Sequence, residues 1–325
     1  TDRQTVWKRS VDMEFFDSHF HIWNVSSKGV HDAKVLFKPG GEEVYDVRKY
    51  EADIGTRGFD HVGGVFLEAL SVCFPKEKDE KKYAEKCVEE AKWAQASLST
   101  SSSRYVLVPT VLLQSSTCRE STLSSISKIE NVRGVRQILN YEPSWPRNTT
   151  NLLENSEWCK GFEMLAKYDL SFDMQLNPHQ FERAAALLSR QSTKTKIPII
   201  INHLGTPTRT DLKGKEYWNG LRKLAACGDH VFIKISMLNY IDPKWNENDE
   251  VISAVHRVIE IFGENQCFFA SNFPVELKDG WTSKRLLSAF RDKIASKYSV
   301  ATQRKFFSEN AMRAYRCTKI SSTRT

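Results

Sequence analysis

The stretch MEFFDSHFHIW, residues 13–23, joins a strand-like apolar run to a pair of histidines. Side chains alternate across a β-strand, so Asp17, His19 and His21 are expected on one face. If the strand belongs to a closed barrel, that face is the interior, where an unpaired polar group costs about 1–3 kcal/mol. Two imidazoles at this spacing can hold one divalent metal ion or one substrate oxygen, although two locally hydrogen-bonded histidines have the same spacing.

Outward from this stretch, short apolar runs alternate with amphipathic helical stretches about eight times. Runs rich in Val, Ile and Phe are typical of parallel strands covered on both sides, and their alternation with helices predicts an α/β fold. Eight repeats favour a closed (β/α)8 TIM barrel, with the open doubly wound sheet as the alternative. The predicted strands are 13–23, 61–70, 104–114, 132–140, 170–176, 197–205, 230–238 and 266–274. The predicted helices are 78–98, 117–130, 151–168, 178–191, 215–227, 249–263, 281–296 and 300–315.

The length of the chain fits one barrel. A TIM barrel needs roughly 250 residues and grows with its loops, so residues 1–325 are interpreted as a single domain with its core at about 13–315. Residues 24–48 form a long loop after the first strand, at the C-terminal mouth where barrels bind substrates. Residues 97–103, SLSTSSS, are expected to form a surface loop on the opposite face.

Three later residues are candidates for chemistry at the same mouth. His203 ends the sixth predicted strand, and Asn272 ends the eighth, where Pro274 breaks the strand. Glu68 ends the second strand and could be an acid–base group, a metal partner or the ion-pair partner of a nearby arginine. With His19 and His21, these form the predicted catalytic set.

Three further residues are candidates for substrate binding. Arg136 lies in an apolar strand and needs a carboxylate from either substrate or protein. Gln175 is expected to face inward with Asp173 and to bind substrate hydroxyls. Lys234, in VFIKIS, is either a salt-bridge partner in the barrel or a site residue. Gln114 is a weaker candidate, and Glu276 is the carboxylate nearest to Asn272. The remaining histidines are interpreted as local: His31, His61, His179, His230 and His256.

Composition limits the classes of partner. The formal net charge of +7 is modest, and the basic residues alternate with acidic ones, so a nucleic-acid partner is not expected. No apolar run approaches the roughly 20 residues of a membrane-spanning helix. Seven dispersed cysteines without a recognisable signal peptide predict reduced thiols and a cytoplasmic location. We expect a small-molecule substrate, no nucleic acid, no membrane contact and a homodimer as one option for assembly.

Several motifs together resemble the amidohydrolase-related family of the amidohydrolase superfamily, in its lactonase-like branch. The motifs are DSHFH (17–21), GVRQIL (134–139), FDMQLNPHQ (172–180), INHLG (201–205), SNFPVE (271–276) and SENAMRAY (308–315). The resemblance implies a (β/α)8 barrel with His19, His21 and His203 in the active site. Metal-dependent members carry an Asp at the end of strand eight as ligand and base, whereas this chain has Asn272. An amide is a poor ligand and does not accept a proton at neutral pH.

The resemblance predicts a hydrolase that opens a lactone or related cyclic ester of a small hydroxy or dicarboxylic acid. His19, His21 and His203 would act with one divalent metal ion, zinc or manganese, or without any metal. His203 and Glu68 are the available bases. Two alternatives stay open: a metal-dependent decarboxylase of the same superfamily, and a non-catalytic barrel that binds a small acid.

Overall fold

Ten β-strands occur in the described part of the chain, and eight of them are parallel. The structure, a computed structural model, describes residues 13–26, 29–31, 42–55, 58–73, 78–142, 150–191 and 196–317. The strands are β1 (Met13–Phe20), β2 (Trp23–Asn24), β3 (Val44–Tyr45), β4 (Phe59–Leu67), β5 (Arg104–Val108), β6 (Gly134–Ile138), β7 (Ser171–Gln175), β8 (Ile199–Ile201), β9 (Val231–Ile235) and β10 (Cys267–Phe269). β2 and β3 form an antiparallel pair in the long loop after β1, whose residues 32–41 lie outside the described residues.

Hydrogen bonds close the eight parallel strands into a ring. One group of neighbours is β1–β4–β5, and the other is β6–β7–β8–β9–β10. Between β5 and β6, Arg136 N donates to Pro109 O at 2.9 Å. Between β1 and the end of β10, His21 N donates to Phe273 O at 2.7 Å. The chain is therefore the expected (β/α)8 barrel, and the open-sheet alternative is wrong.

Helices follow each barrel strand in the pattern that the sequence predicts. The helix expected at 78–98 is confirmed as α3, and it begins where the Asp79 side chain accepts hydrogen bonds from Lys81 N and Lys82 N. The helix expected at 300–315 is interrupted by a π turn, Lys305–Glu309. None of the described helices is both long and apolar enough to cross a bilayer. The helices are α1 (Val47–Ile54), α2 (Leu70–Cys73), α3 (Glu80–Leu98), α4 (Arg119–Ile126), α5 (Ser156–Met164), α6 (Phe181–Leu188), α7 (Arg209–Lys213), α8 (Lys215–Ala225), α9 (Leu238–Ile241), α10 (Asp249–Phe262), α11 (Ser283–Lys293), α12 (Val300–Arg304) and α13 (Asn310–Ala314).

An apolar cluster fills one end of the barrel interior. Side chains from six strands meet there with Ala311 and Met312 of α13 and with Tyr315, which follows that helix. The strand residues are Phe16, Val65, Val106, Ile200, Phe232 and Phe268. Because this packing closes one end, the polar residues at the carboxyl ends of the strands face the other end, where barrels bind ligands.

A register shift changes the direction of the β1 side chains. Asp17 lies opposite Gly64 of β4 and Phe20 lies opposite Phe66, so three steps along β1 match two along β4. Such a β-bulge reverses the alternation of side chains. The expectation that Asp17 shares the inner face with His19 is therefore wrong. The Asp17 carboxylate instead accepts a hydrogen bond from Tyr50 of α1 at 2.8 Å.

Candidate active site

Seven of the eight barrel strands bring most of the predicted site residues together. Contacts run from His21 to His19, and from His19 to the cations Arg136 and Lys234. Ring centroids of His19 and His203 are 4.5 Å apart, although the two residues are far apart in the chain. Asn272 joins this group through its backbone, whose N–H donates to His19 O at 2.8 Å.

Hydrogen bonds determine the tautomers of the histidine pair on β1. His21 Nδ1 lies 2.8 Å from the backbone oxygen of Leu67 and must donate to it, so His21 Nε2 carries the lone pair. His19 Nε2 lies 3.1 Å from that nitrogen and donates to it. The lone pair on His19 Nδ1 then faces the Lys234 Nζ, 3.4 Å away. One proton on each ring satisfies every one of these contacts.

All three histidines are held in the neutral form. Burial is the main cause that lowers their pKa values, and nearby Arg136 and Lys234 lower them further. The pKa of His21 falls to about 3, and those of His19 and His203 also lie well below the ordinary value of 6.5. At neutral pH each ring can therefore accept one hydrogen bond and donate one, but it carries no charge.

Glu68 and Arg136 form a buried ion pair across alternate strands. The Arg136 Nε and Nη2 lie 3.0 and 2.8 Å from Glu68 Oε1, and Nη2 also donates to the Glu68 backbone oxygen at 2.8 Å. The other carboxylate oxygen accepts a hydrogen bond from Ser71 N at 2.8 Å. Burial raises the pKa of the Glu68 carboxyl, and the Arg136 guanidinium opposes that rise. The ion-pair alternative for Glu68 is the arrangement observed, which leaves no oxygen of this carboxylate unpaired.

The free end of Arg136 points into the site. Its Nη1 lies 3.5 Å from His19 Nε2 and donates to Gln175 Oε1 at 3.2 Å. Gln175 is half-buried at the carboxyl end of β7. A substrate oxygen can therefore meet one guanidinium N–H of Arg136 and the amide nitrogen of Gln175, while the rest of the guanidinium is occupied by Glu68.

Lys234 and Asp173 form a second buried ion pair below the histidines. Lys234 Nζ lies 2.6 Å from Asp173 Oδ1, and both side chains are fully buried. Asp173 also accepts hydrogen bonds from Tyr315 OH at 2.8 Å and from Asn202 Nδ2 at 2.8 Å. Burial lowers the pKa of Lys234 to about 8. Of the two predicted roles for Lys234, the salt-bridge partner is the one observed, and Lys234 also contacts His19.

Left-handed backbone conformations occur at the ends of three consecutive strands around this site. His203 follows β8 with φ 55°, Met237 follows β9 with φ 57°, and Asn272 follows β10 with φ 57°. For a residue other than glycine, this conformation costs about 1–3 kcal/mol and is concentrated at functional sites. All three strained residues lie just after a strand end, which supports this end of the barrel as the functional site.

One predicted candidate falls outside the site, and one site residue was not predicted. Gln114 Oε1 accepts from Gln137 Nε2 at 2.8 Å, and Gln137 in turn accepts from Trp158 Nε1, so Gln114 belongs to the contact between strands and helices. Ser236 was missed, although its Oγ lies 2.8 Å from His203 Nδ1. It stands two positions after Lys234 in VFIKIS, so strand alternation alone puts both on one face.

The donors around His19 and His21 do not complete a metal site. Their Nε2 atoms are 3.1 Å apart, a separation that two ligands of one divalent ion can have. Within the described ranges, however, no three His, Cys, Asp or Glu side chains form a ligand group. Arg136 and Lys234 lie within 3.5 Å of the two His19 nitrogens, where a further positive charge is repelled. The residues as arranged do not fit a resident divalent ion.

Comparison with known sequences places the chain in a family. A family model described as Amidohydrolase matches residues 16–317. The curated Uncharacterized protein y4mH of Sinorhizobium fredii is 34% identical over 193 residues, which span 57% of this chain and 61% of that protein. This chain therefore matches less than two thirds of the length of that relative.

Solved structures share the fold over most of the chain. An amidohydrolase from Burkholderia multivorans matches with a TM-score of 0.70 and 16% identity in a form with bound HEPES, and 0.66 and 17% in a form with bound zinc. A probable 2-pyrone-4,6-dicarboxylic acid hydrolase from Acinetobacter baumannii, solved with citric acid, matches with a TM-score of 0.67 and 14% identity. Each match covers 94% of this chain and 99% of the other. The family match spans the site from His19 to Asn272, and the chain belongs to the amidohydrolase family.

Proposed function

We propose that this protein hydrolyses a lactone or related cyclic ester of a small carboxylated or hydroxylated acid, without a bound metal ion. The observation that carries the proposal is the group of three neutral imidazoles beside the free N–H of Arg136, at the open end of a closed barrel. The group offers proton acceptors and one cationic donor within a few ångströms of each other. Hydrolysis of an ester needs these two functions, a base for water and a donor for the oxyanion.

His203 is the proposed general base. The proposal assigns His203 the tautomer in which Nδ1–H donates to Ser236 Oγ, 2.8 Å away, so that the lone pair lies on Nε2. Its lowered pKa keeps the ring unprotonated at neutral pH but also makes it a weak base. A weak base suits an ester, because water attacks an ester carbonyl more readily than an amide carbonyl. Glu68 is the poorer choice, since both of its carboxylate oxygens already accept hydrogen bonds.

The proposed reaction balances with water as the second substrate. The water oxygen attacks the carbonyl carbon while one water proton passes to His203 Nε2. The developing oxyanion accepts a hydrogen bond from Arg136 Nη1, whose position is fixed by its ion pair with Glu68. Collapse of the intermediate breaks the ring C–O bond, and the proton on His203 moves to the departing alkoxide. The product is the open hydroxy acid.

A hydrolysis screen with a pH indicator tests the proposal. The panel contains sugar-acid lactones and dicarboxylate lactones, with a pyrone dicarboxylate added because a fold neighbour is a probable hydrolase of that class. We expect turnover of at least one member, and a loss of about 10²–10⁴-fold in His203→Asn if His203 is the base. His256→Gln is the matched control, since His256 lies in α10 and contacts Tyr298.

The outcomes separate the alternatives. Retained turnover in His203→Asn would show that the base is assigned wrongly. A folded wild type that opens no member of the panel would contradict the lactonase proposal. Release of CO₂ from an unsaturated acid would then favour the decarboxylase, and saturable binding without turnover would favour the non-catalytic barrel.

A further inference from the structure

Glu276 carries a deeply buried carboxyl. It lies in the short turn Val275–Asp279 after β10 and is only 1% exposed. Its Oε1 accepts a hydrogen bond from Asn272 Nδ2 at 2.8 Å, whereas its Oε2 is buried and has no hydrogen-bond partner in the described part of the chain. A polar atom buried without a partner costs about 1–3 kcal/mol. The burial of this carboxyl therefore needs an explanation. Its hydrogen bond with Asn272 is the contact that can supply one.

The contact with Glu276 orients the Asn272 amide. The amide nitrogen faces Glu276, because Nδ2 donates to Oε1, and a carboxyl keeps an acceptor oxygen whether it is ionised or protonated. The opposite end, Oδ1, accepts no hydrogen bond from the described residues. The backbone of Asn272 is fixed independently, by φ 57° and by the hydrogen bond from its N–H to His19 O. The two side-chain torsions remain to be set, and the hydrogen bond to Glu276 restrains them.

We infer that Glu276 is a positioning residue for the proposed hydrolysis: it holds the Asn272 amide so that Oδ1 faces the barrel and accepts a hydrogen bond from the attacking water. Asn272 then orients the water, and His203 takes its proton. This inference rests on the proposed function. An oriented amide oxygen supplies a hydrogen-bond acceptor without a charge.

The charge on Glu276 is not needed for this role. Burial raises the pKa of Glu276 to about 8, so the carboxyl is largely protonated at neutral pH and its carbonyl oxygen still accepts. A glutamine has the same shape and offers the same acceptor. A leucine has a similar volume but offers none, so the amide can rotate and present its nitrogen to the water.

Kinetics of three variants test the inference on a substrate from the lactone panel. In Glu276→Leu we expect kcat to fall about 10–100-fold with KM nearly unchanged, because the water is misplaced and the substrate is not. Glu276→Gln should stay within about 3-fold of wild type. Asp279→Asn is the matched control. Asp279 lies in the same turn as Glu276 and accepts a hydrogen bond from Asn239, and its replacement should leave kcat unchanged. Equal losses in the Gln and Leu variants would overturn the inference, because the carboxyl itself would then be required.

A second measurement does not depend on turnover. In protein labelled with ¹⁵N at asparagine, the side-chain signal of Asn272 is assigned by its absence in Asn272→Asp. We expect this signal to shift in Glu276→Leu and to stay close to wild type in Glu276→Gln, with Glu276→Met as a substitute if the Leu variant does not fold. An Asn272 signal that does not shift in Glu276→Leu would overturn the inference even if no lactone is hydrolysed. A shifted signal without any turnover would contradict the proposed function alone.

Discussion

Replacing Arg136 with methionine tests whether this residue stabilises the fold or serves only to bind substrate. The change removes two hydrogen bonds to Glu68, of 3.0 and 2.8 Å, together with the ion-pair contact at 2.8 Å, and leaves that carboxylate fully buried. Breaking a buried pair in this way costs about 3–5 kcal/mol, because the remaining charge has no partner. We therefore expect the free energy of unfolding at neutral pH to fall by about that amount.

The control is a surface pair of similar length. Lys167 Nζ lies 2.7 Å from Glu120, but the two side chains are 62% and 63% exposed. Lys167→Met should leave the free energy of unfolding nearly unchanged, because solvent screens an exposed ion pair. Urea unfolding followed by tryptophan fluorescence compares the variants, provided that the slope with denaturant stays constant. The double variant Glu68→Gln/Arg136→Met should recover part of the loss, since it removes the unpaired charge.

One result would refute this reasoning. If Arg136→Met were as stable as Lys167→Met while turnover was lost, the Glu68 pair would contribute nothing to the fold. Arg136 would then serve only to bind substrate. A contact other than the Glu68 pair would have to fix the side chain for its Nη1 to stabilise the oxyanion.

Three further predictions concern groups in the same site. Because the pKa of His21 is lowered to about 3 from 6.5, the neutral ring contributes stability above pH 6.5, and this stability is lost as the pH falls towards 3. The free energy of unfolding should change by about 1.4 kcal/mol per pH unit in this range. Urea titrations at several pH values should show that His21→Gln loses this slope. The pKa of Glu276, raised to about 8 from 4.5, has the opposite sign, so stability falls as pH rises from 4.5 to 8 in wild type but not in Glu276→Gln. Lys234→Met leaves Asp173 buried without its cation and should cost about 3–5 kcal/mol, and a melting temperature within a degree of wild type would argue against that pair.

The sequence predicted the barrel and the residues at its mouth because strand alternation and strand ends are local properties. His19, His21, His203 and Asn272 all lie near the positions that the apolar runs indicated. The bulge in β1 was not predictable in the same way, since one extra residue leaves no mark on the apolar pattern. It moved Asp17 from the inner face to the contact with Tyr50.

The sequence also could not predict which charged residues pair with each other. Glu68 and Arg136 lie on β4 and β6, with β5 between them, and they meet because layers inside a barrel are built from alternate strands. Asp173 and Lys234 are likewise on β7 and β9, separated by β8. Only the closed geometry decides which cation neutralises which carboxylate, and hence which of them stays available to a substrate.

Turnover before and after chelation tests the central claim, that the three neutral histidines hydrolyse an ester without a metal ion. The protein is treated with a strong chelator, its metal content is measured, and the rate on a panel substrate is compared with the untreated rate. The account predicts an unchanged rate in metal-free protein. A rate that is lost on chelation and restored by Zn²⁺ or Mn²⁺ would contradict it, and would mean that an ion binds His19 and His21 despite the adjacent cations and Asn272.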